Sequence, residues 1–228
     1  ANALHNLALA YITGDQVELE GVLAWPALRS RALSLEFYTG FTAIEVGSVT
    51  PPSTATGVGQ ALVVDDHLRV ARLGAEVVQR DARGYTEATV ELRRGLSLFG
   101  ASRAGDGELS RQDGSGRFWS VRGELERTLT LPEGFSLWGK AWGQWADRPL
   151  LATEEFSIGG PELGRAFHPS EFSDDLGAGA AAELRFNHTF VWDALRVPYE
   201  LYGYADFAAV RSADPPPPSA GGESRNRS

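Results

Sequence analysis

The chain has 228 residues, of which 43% are hydrophobic, and a formal net charge of −9. A chain of this size can bury a core, but its acidity argues against nucleic acid as a partner. The absence of cysteine excludes disulfides and thiolate metal sites, and no segment approaches the roughly 18 apolar residues of a transmembrane helix.

The hydrophobic pattern of the chain has a period of two, which is typical of β-strands rather than helices. In 135–145, for example, the parity of Phe135 is mainly apolar, whereas Lys140 and Gln144 lie on the other parity. Two arginines, Arg94 and Arg127, are exceptions on otherwise apolar parities. The pattern predicts about nine strands, the first of them weak: 7–11, 17–25, 33–43, 71–77, 88–98, 119–129, 135–145, 178–186 and 199–209.

Several of these runs reach the roughly nine to eleven residues that a tilted strand needs to cross a bilayer. Their polar parity carries Glu, Arg, Lys and Gln in one strand after another. A soluble sandwich with one wet face has such a pattern. So does a transmembrane barrel, with the apolar face toward lipid and the polar face toward a wet lumen.

The lengths of the predicted connections help to choose between these folds. In chain order they are 27–32 (short), 47–67 (long), 80–84 (short), 100–116 (long), 131–134 (short) and 147–177 (long). Barrels of the bacterial outer membrane alternate short periplasmic turns with longer external loops in this way. A further short link predicted at 13–16 breaks the order. On balance the pattern favours an all-β transmembrane antiparallel barrel.

The C-terminal segment 212–228 is rich in Pro, Ser and Gly. Its four consecutive prolines cannot join a ladder of strands, so we expect a loop or tail there and a partial barrel in 1–211. Because a bacterial barrel closes with an even number of strands, a count of nine predicts that the chain is a fragment of a longer protein.

The connection 147–177 is unusually long for a compact fold, and Arg165 is the only Lys or Arg between positions 148 and 185. If the segment folds back into a wet lumen, the guanidinium requires a carboxylate with matching fork geometry. Asp206 is the best candidate, because it lies on the polar parity of the strand 199–209. The alternative is that Arg165 is an ordinary exposed arginine. The glycines near Arg165 permit tight backbone turns: Gly159, Gly160 and Gly164.

The sequence predicts no catalytic, cofactor or metal site. The four histidines lack ligand spacing, and no motif places Ser170 on a strained elbow beside His168. Two acidic pairs, Glu154–Glu155 and Asp174–Asp175, could bind a hard cation, although a solvated acidic loop explains them better.

Residues 154–177 resemble the long loop of two-partner-secretion outer-membrane transporters of the haemolysin-activator type, within the outer-membrane assembly-factor superfamily. The typical loop reads Glu-x-Phe-x-Leu-Gly-Gly, then Val-Arg-Gly-Tyr/Phe, then Gly-Asp-x-Gly. The matching residues are Glu154, Phe156, Gly159, Gly160, Arg165, Phe167, Asp175 and Gly177. A second motif, Phe-x-Asp-x-Gly on a later strand, is similar to 204–208, and the stretches 25–37 and 65–77 are also similar to this family. Ala166 and Ala208 stand where the family has glycine.

The resemblance implies a sixteen-stranded barrel, preceded by periplasmic domains, in the outer membrane. Its partners would be outer-membrane lipid and a secreted exoprotein of the adhesin or haemolysin type, which crosses the pore unfolded. It also implies that the loop folds inside the barrel, that Arg165 and Asp206 form a loop–barrel lock, and that Gly159, Gly160 and Phe167 shape the loop tip. Three alternatives remain: a barrel-insertion factor of the same superfamily, a passive diffusion porin, and a soluble β-sandwich binding module.

Overall fold

The structure is a computed structural model that describes residues 13–50, 62–161, 164–165, 167–193 and 195–213. Its main strands are β1 (Thr13–Arg29), β2 (Leu33–Thr50), β3 (Leu62–Asp81), β4 (Gly84–Gly95), β5 (Trp119–Thr130), β6 (Phe135–Ala146), β9 (Leu176–Trp192) and β10 (Leu195–Arg211). They form one antiparallel sheet of eight strands in the order β1-β2-β3-β4-β5-β6-β9-β10. Two short strands, β7 (Phe156–Ile158) and β8 (Phe172–Asp174), pair separately.

The two helical elements are single 3₁₀ turns at Pro132–Gly134 and Ala152–Glu154. Across the described residues, no helix has the length and apolar character required to cross a membrane.

Eight of the nine predicted strands are present, and the weak one at 7–11 lies outside the described residues. The short link predicted at 13–16 is wrong, because these residues belong to β1 and pair in register with β2. The long connection predicted at 47–67 is wrong at both ends, since β2 continues to Thr50 and β3 starts at Leu62. Pairing of backbone amides and carbonyls extends these strands past the region where the hydrophobic alternation is clear.

The connections confirm the predicted alternation in length. At one end of the sheet the strands are joined by short segments, 30–32, 82–83, 131–134 and 193–194. At the other end lie the long segments 96–118 and 147–175. We call 147–175 the inner loop. In an outer-membrane barrel the end with long loops is external.

The two faces of the sheet differ in polarity as the alternation predicts. One face carries exposed apolar side chains with no second layer of described residues over them, among them Val90 (52% exposed), Leu125 (49%) and Leu201 (62%). The other carries ion pairs between neighbouring strands, such as Lys140 with Glu124 at 3.0 Å. A soluble β-sandwich would cover its apolar face with a second sheet. The described residues include no second sheet on this face, so the soluble β-sandwich alternative is corrected.

The main apolar cluster lies at the long-loop end. It is made of Ile44, Leu68, Val70, Leu109, Phe118, Ala146, Leu150 and Leu151, all at most 9% exposed. It joins β2, β3 and β6 to both long segments, and thereby fixes the start of the inner loop against the sheet.

If the apolar face meets lipid, Leu125→Arg should destabilise the barrel by about 2–4 kcal/mol, because a charge near the bilayer midplane loses its hydration. The free energy of unfolding of the full-length protein in lipid vesicles, measured by urea titration, tests this. The control is Thr89→Arg on the wet face, opposite Glu124, which should cost less than about 1 kcal/mol because the new charge meets water and a carboxylate. Equal losses for both variants would contradict the assignment of the two faces.

Candidate functional site

The inner loop lies on the polar face of the sheet, and its base is fixed there by Glu154. The 3₁₀ turn Ala152–Glu154 directs this side chain, which is 1% exposed, onto two arginines of the sheet. Arg93 donates from Nε to Oε2 at 3.0 Å and from Nη2 to Oε1 at 2.7 Å. Arg122 adds a bond from Nη2 to Oε2 at 3.0 Å, and Gln144 Nε2 donates to the backbone oxygen of Glu154 at 2.8 Å.

Asp175 anchors the other end of the inner loop and is fully buried. Its Oδ1 accepts hydrogen bonds from the Leu150 amide at 2.7 Å and from Arg111 Nη1 at 2.6 Å. Its Oδ2 accepts from the Ala213 amide at 3.0 Å. Burial alone would lower the pKa of Arg111, but the charges of Asp175 and Glu155 raise it above its ordinary value. Asp175 therefore ties together both long segments and the residues that follow β10.

These contacts correct the predictions for the two acidic pairs, which form neither a cation site nor a solvated surface. Glu154 binds Arg93 and Arg122, while Glu155 and Asp175 bind Arg111. Sequence reasoning missed the arginines because their partners lie far away along the chain. In the part of the chain that the structure describes, no group of three or more His, Asp or Glu side chains has an arrangement that could hold a metal ion.

Beyond its base the inner loop forms the β7–β8 hairpin, which packs on the sheet through Phe156 and Ile158. Phe156 lies against Gly177, where a Cβ would collide with its ring. Trp142, Ala208 and Val210 complete this cluster. The methyl group of Ala208, which replaces the glycine of the family motif, is therefore accommodated in an apolar contact.

The tip of the hairpin depends on backbone conformations that favour glycine. The φ angles of Gly159, Gly160 and Gly164 are +120°, +96° and +76°, values that L side chains rarely adopt. Gly160 donates its amide to the Phe167 carbonyl at 3.2 Å, and Phe167 donates its own to Gly164 at 2.9 Å. Phe167 also packs edge-on against Phe172, with ring centroids 5.3 Å apart. Ala166 lies outside the described residues.

The structure brings Arg165 and Asp206 together, but through the backbone of the loop. Asp206 Oδ2 accepts the amides of Gly164 at 2.9 Å and Arg165 at 3.0 Å. The Arg165 guanidinium instead donates from Nη2 to Glu183 Oε2 at 3.2 Å and from Nε to the Pro161 carbonyl at 3.0 Å. The prediction that the Arg165 guanidinium binds the Asp206 carboxylate is therefore wrong, because Asp206 binds the backbone of the tip instead.

The geometry of β9 and β10 explains this exchange of partners. Glu183 on β9 lies directly opposite Tyr204 on β10, whereas Asp206 lies opposite Ala181. The Arg165 guanidinium stacks over the Tyr204 ring, with its carbon 4.3 Å from the ring centroid, and so reaches Glu183 beside that ring. Sequence reasoning missed Glu183, although its position on the polar parity of β9 was a usable signal.

Comparisons with known proteins agree with this architecture. A family model described as "Haemolysin secretion/activation protein ShlB/FhaC/HecB" matches residues 60–217. Among solved structures, CdiB from Escherichia coli is similar, with a TM-score of 0.70 at 17% sequence identity, covering 90% of this chain and 37% of that one. The chain thus spans little more than a third of the CdiB chain. No curated protein sequence matches it significantly.

If Glu154 anchors the inner loop, Glu154→Ala should lower the free energy of unfolding of the full-length protein by about 3 kcal/mol, the lower end of the cost of breaking a buried ion pair. Buried Arg93 retains Glu91, whereas the partly exposed Arg122 loses its carboxylate. Urea titration in vesicles measures this. Glu155→Ala is the matched control and should cost far less, because Arg111 keeps Asp175. Similar losses for both variants would contradict the special role of Glu154.

Proposed function

Because the chain belongs to the haemolysin secretion/activation family (ShlB/FhaC/HecB), we propose that it forms part of a pore that exports an unfolded secreted protein. The protein is a transmembrane antiparallel β-barrel component of the bacterial outer membrane. We propose that the complete barrel has sixteen strands and that its partner is an exoprotein of the adhesin or haemolysin type. Export of this kind requires a conduit and its control rather than catalytic residues.

The observation that carries the proposal is the inner loop on the wet face of the sheet. A passive diffusion porin needs a polar lumen, but it does not need a hairpin whose tip binds two separate strands. Here the tip is held by Asp206 and Tyr204 of β10 and by Glu183 of β9. A device that holds a loop across a lumen suits a pore that must stay closed until a chain enters.

The space beside the inner loop fits an extended polypeptide. A crevice of about 500 Å³ runs between the loop and the polar face of the sheet. Its lining mixes hydrogen-bonding and aromatic groups, including Tyr38, Thr89, Glu124, Trp142 and Ser157. Such a surface can satisfy the backbone amides and carbonyls of an unfolded chain as it passes.

We propose that the loop–barrel lock consists of two contacts of different kinds. Asp206 binds backbone amides of the tip, so its contact does not depend on the side chain at position 165. Arg165 binds Glu183 and Tyr204 through its guanidinium. The Arg165 side chain is 22% exposed, and a partly exposed pair of this kind can break at modest cost. The tip is therefore suited to release during export.

Arg165→Ala should impair secretion of the cognate exoprotein, because the tip loses a contact that returns it to its closed position. It should impair barrel assembly less, because the residue lies outside the strands. Glu183→Ala should have at least as large a defect, because Glu183 also binds Arg185 at 3.2 Å. The double variant should be no worse than Glu183→Ala, since both changes remove the contact between Arg165 and Glu183. Secreted exoprotein and heat-modifiable, folded barrel are quantified in the same cells. Normal secretion by Arg165→Ala, or additive defects, would count against the proposed lock.

A reversible cross-link tests whether the tip must move. The chain has no cysteine, so the pair Arg165→Cys and Glu183→Cys can be bridged with a short reagent that reacts with two thiols and is released by reduction. Secretion by the unbridged double cysteine variant should equal that of the double alanine variant, stop on bridging and return to that level on reduction. The control pair, Thr130→Cys and Ser136→Cys, bridges β5 to β6 within the sheet and should leave secretion unchanged. Undiminished secretion with the tip bridged to β9 would overturn the proposal that the tip moves. If bridging instead lowered the amounts of other outer-membrane barrels, the protein would be better explained as an insertion factor.

A further inference from the structure

Two arginines interrupt the lipid-facing side of the sheet, and they lie near opposite ends of its apolar band. Arg127 on β5 pairs in register with Thr86 on β4. Arg94 lies on the same face of β4, eight residues beyond Thr86, which corresponds to about 27 Å along a strand. Because barrel strands are tilted by about 35–45°, this corresponds to about 20 Å of the roughly 25 Å height of the apolar band. Arg127 is near the short turns and Arg94 near the long, external segments.

Arg127 has its counter-charge within the protein. Its Nη2 lies 2.6 Å from Asp81 Oδ2, and its Nη1 donates to Thr86 Oγ1 at 2.5 Å. An arginine at the edge of a bilayer is stable in this arrangement, since its charge is neutralised without help from lipid.

Arg94 differs, because no carboxylate in the described part of the chain lies within 4 Å of its guanidinium. Its Nη1 donates to the Phe118 carbonyl at 3.1 Å. Its guanidinium carbon lies 4.6 Å from the centroid of the Trp119 ring. The stacked ring orients the guanidinium but supplies no full negative charge, so most of its donors remain available on the lipid side.

The surroundings of Arg94 are aromatic and carry a net positive charge. Trp119 and Trp145, 42% and 52% exposed, lie on the same lipid-facing side of β5 and β6. The nearby Asp147 is bound by Arg148 through Nε at 3.2 Å and Nη2 at 2.9 Å, and by the Trp119 amide at 2.8 Å. Burial acts to raise the pKa of Asp147, but these hydrogen bonds and the charges of Arg148 and Arg94 lower it below its ordinary value. Arg148 makes the direct ion pair with Asp147, so Arg94, Arg148 and Asp147 together carry one net positive charge.

We propose that Arg94, with Trp119 and Trp145, forms a binding site for the phosphate group of a lipid in the outer leaflet. Tryptophans at a membrane interface sit at the depth of the headgroups, where a basic side chain binds anionic lipid. A guanidinium pairs with phosphate in a fork of two charge-assisted hydrogen bonds. This site does not depend on whether the protein exports a polypeptide.

The position of the site favours lipid over a soluble anion. The residues that continue the same face from Arg94 and Trp119 toward the bilayer centre are the exposed, apolar Leu92 and Val121. They would contact the acyl chains of a lipid whose phosphate binds Arg94. A free phosphate ion gains nothing from these neighbours.

The experiment measures lipid binding to the full-length protein in detergent by native mass spectrometry. The probe is a bisphosphorylated acylated disaccharide, and the matched probe is the same glycolipid without its phosphates. Arg94→Gln should weaken binding of the phosphorylated lipid about tenfold, as expected for loss of a charge-assisted hydrogen bond, and Arg94→Lys should recover part of the loss. Arg83→Gln, which makes the same charge change in the turn between β3 and β4, should bind like wild type.

The wild-type protein serves as a second test that does not require a variant to fold. It should prefer the phosphorylated to the dephosphorylated lipid by a similar factor, and inorganic phosphate at the same concentration should not compete. Equal binding of both lipids, or unchanged binding by folded Arg94→Gln, would overturn the site. Effective competition by inorganic phosphate would show a site for free anions and would likewise overturn the lipid assignment.

Discussion

The position of the inner loop depends on one buried carboxylate, that of Glu154. Arg93 and Arg122 lie on adjacent strands and face the same interior, where Glu91 binds Arg93 alone and Glu154 is the carboxylate that the two arginines share. Glu154 binds both, and it is itself 1% exposed. A buried pair of this kind contributes little net stability against an apolar substitute, but it is costly to break. The ion pairs of Glu154 therefore fix the base of the loop to the sheet, and this places the tip next to β9 and β10.

The strands were predictable because the bilayer imposes a strict rule on them. Where one face meets lipid and the other meets water, every second residue must be apolar. This alternation predicted the bounds of β5 and β6 to within one residue. The rule stops where both faces meet water. Gly14 and Gly47 lie in paired backbone at the ends of β1 and β2, and nothing in their composition distinguishes that pairing from a loop. This is why the link at 13–16 and the connection at 47–67 were misjudged.

Parity also identified which side of β10 meets the inner loop, but it could not give the chemistry of the contact. Asp206 was expected to bind a side chain and instead binds two amides. That outcome depends on the positive φ angle of Gly164, which turns the backbone of the tip toward the sheet. Similarly, the choice of Glu183 by Arg165 follows from the stacking on Tyr204. Distances across strands decide both partners, and a one-dimensional pattern contains no such distances.

The two ends of the inner loop hairpin differ in the kind of contact that must break to release them. Separating the base exposes uncompensated buried charge, which typically costs about 3–5 kcal/mol. Separating the tip breaks two bonds to the Asp206 carboxylate, each worth about 1.5–3 kcal/mol because the acceptor is charged. It also breaks the stacking of Arg165 on Tyr204 and one partly exposed ion pair worth less than about 1 kcal/mol. On the proposed function, an entering polypeptide needs to compete only for the tip contacts, while Glu154 and Asp175 keep the loop within the barrel and able to close again.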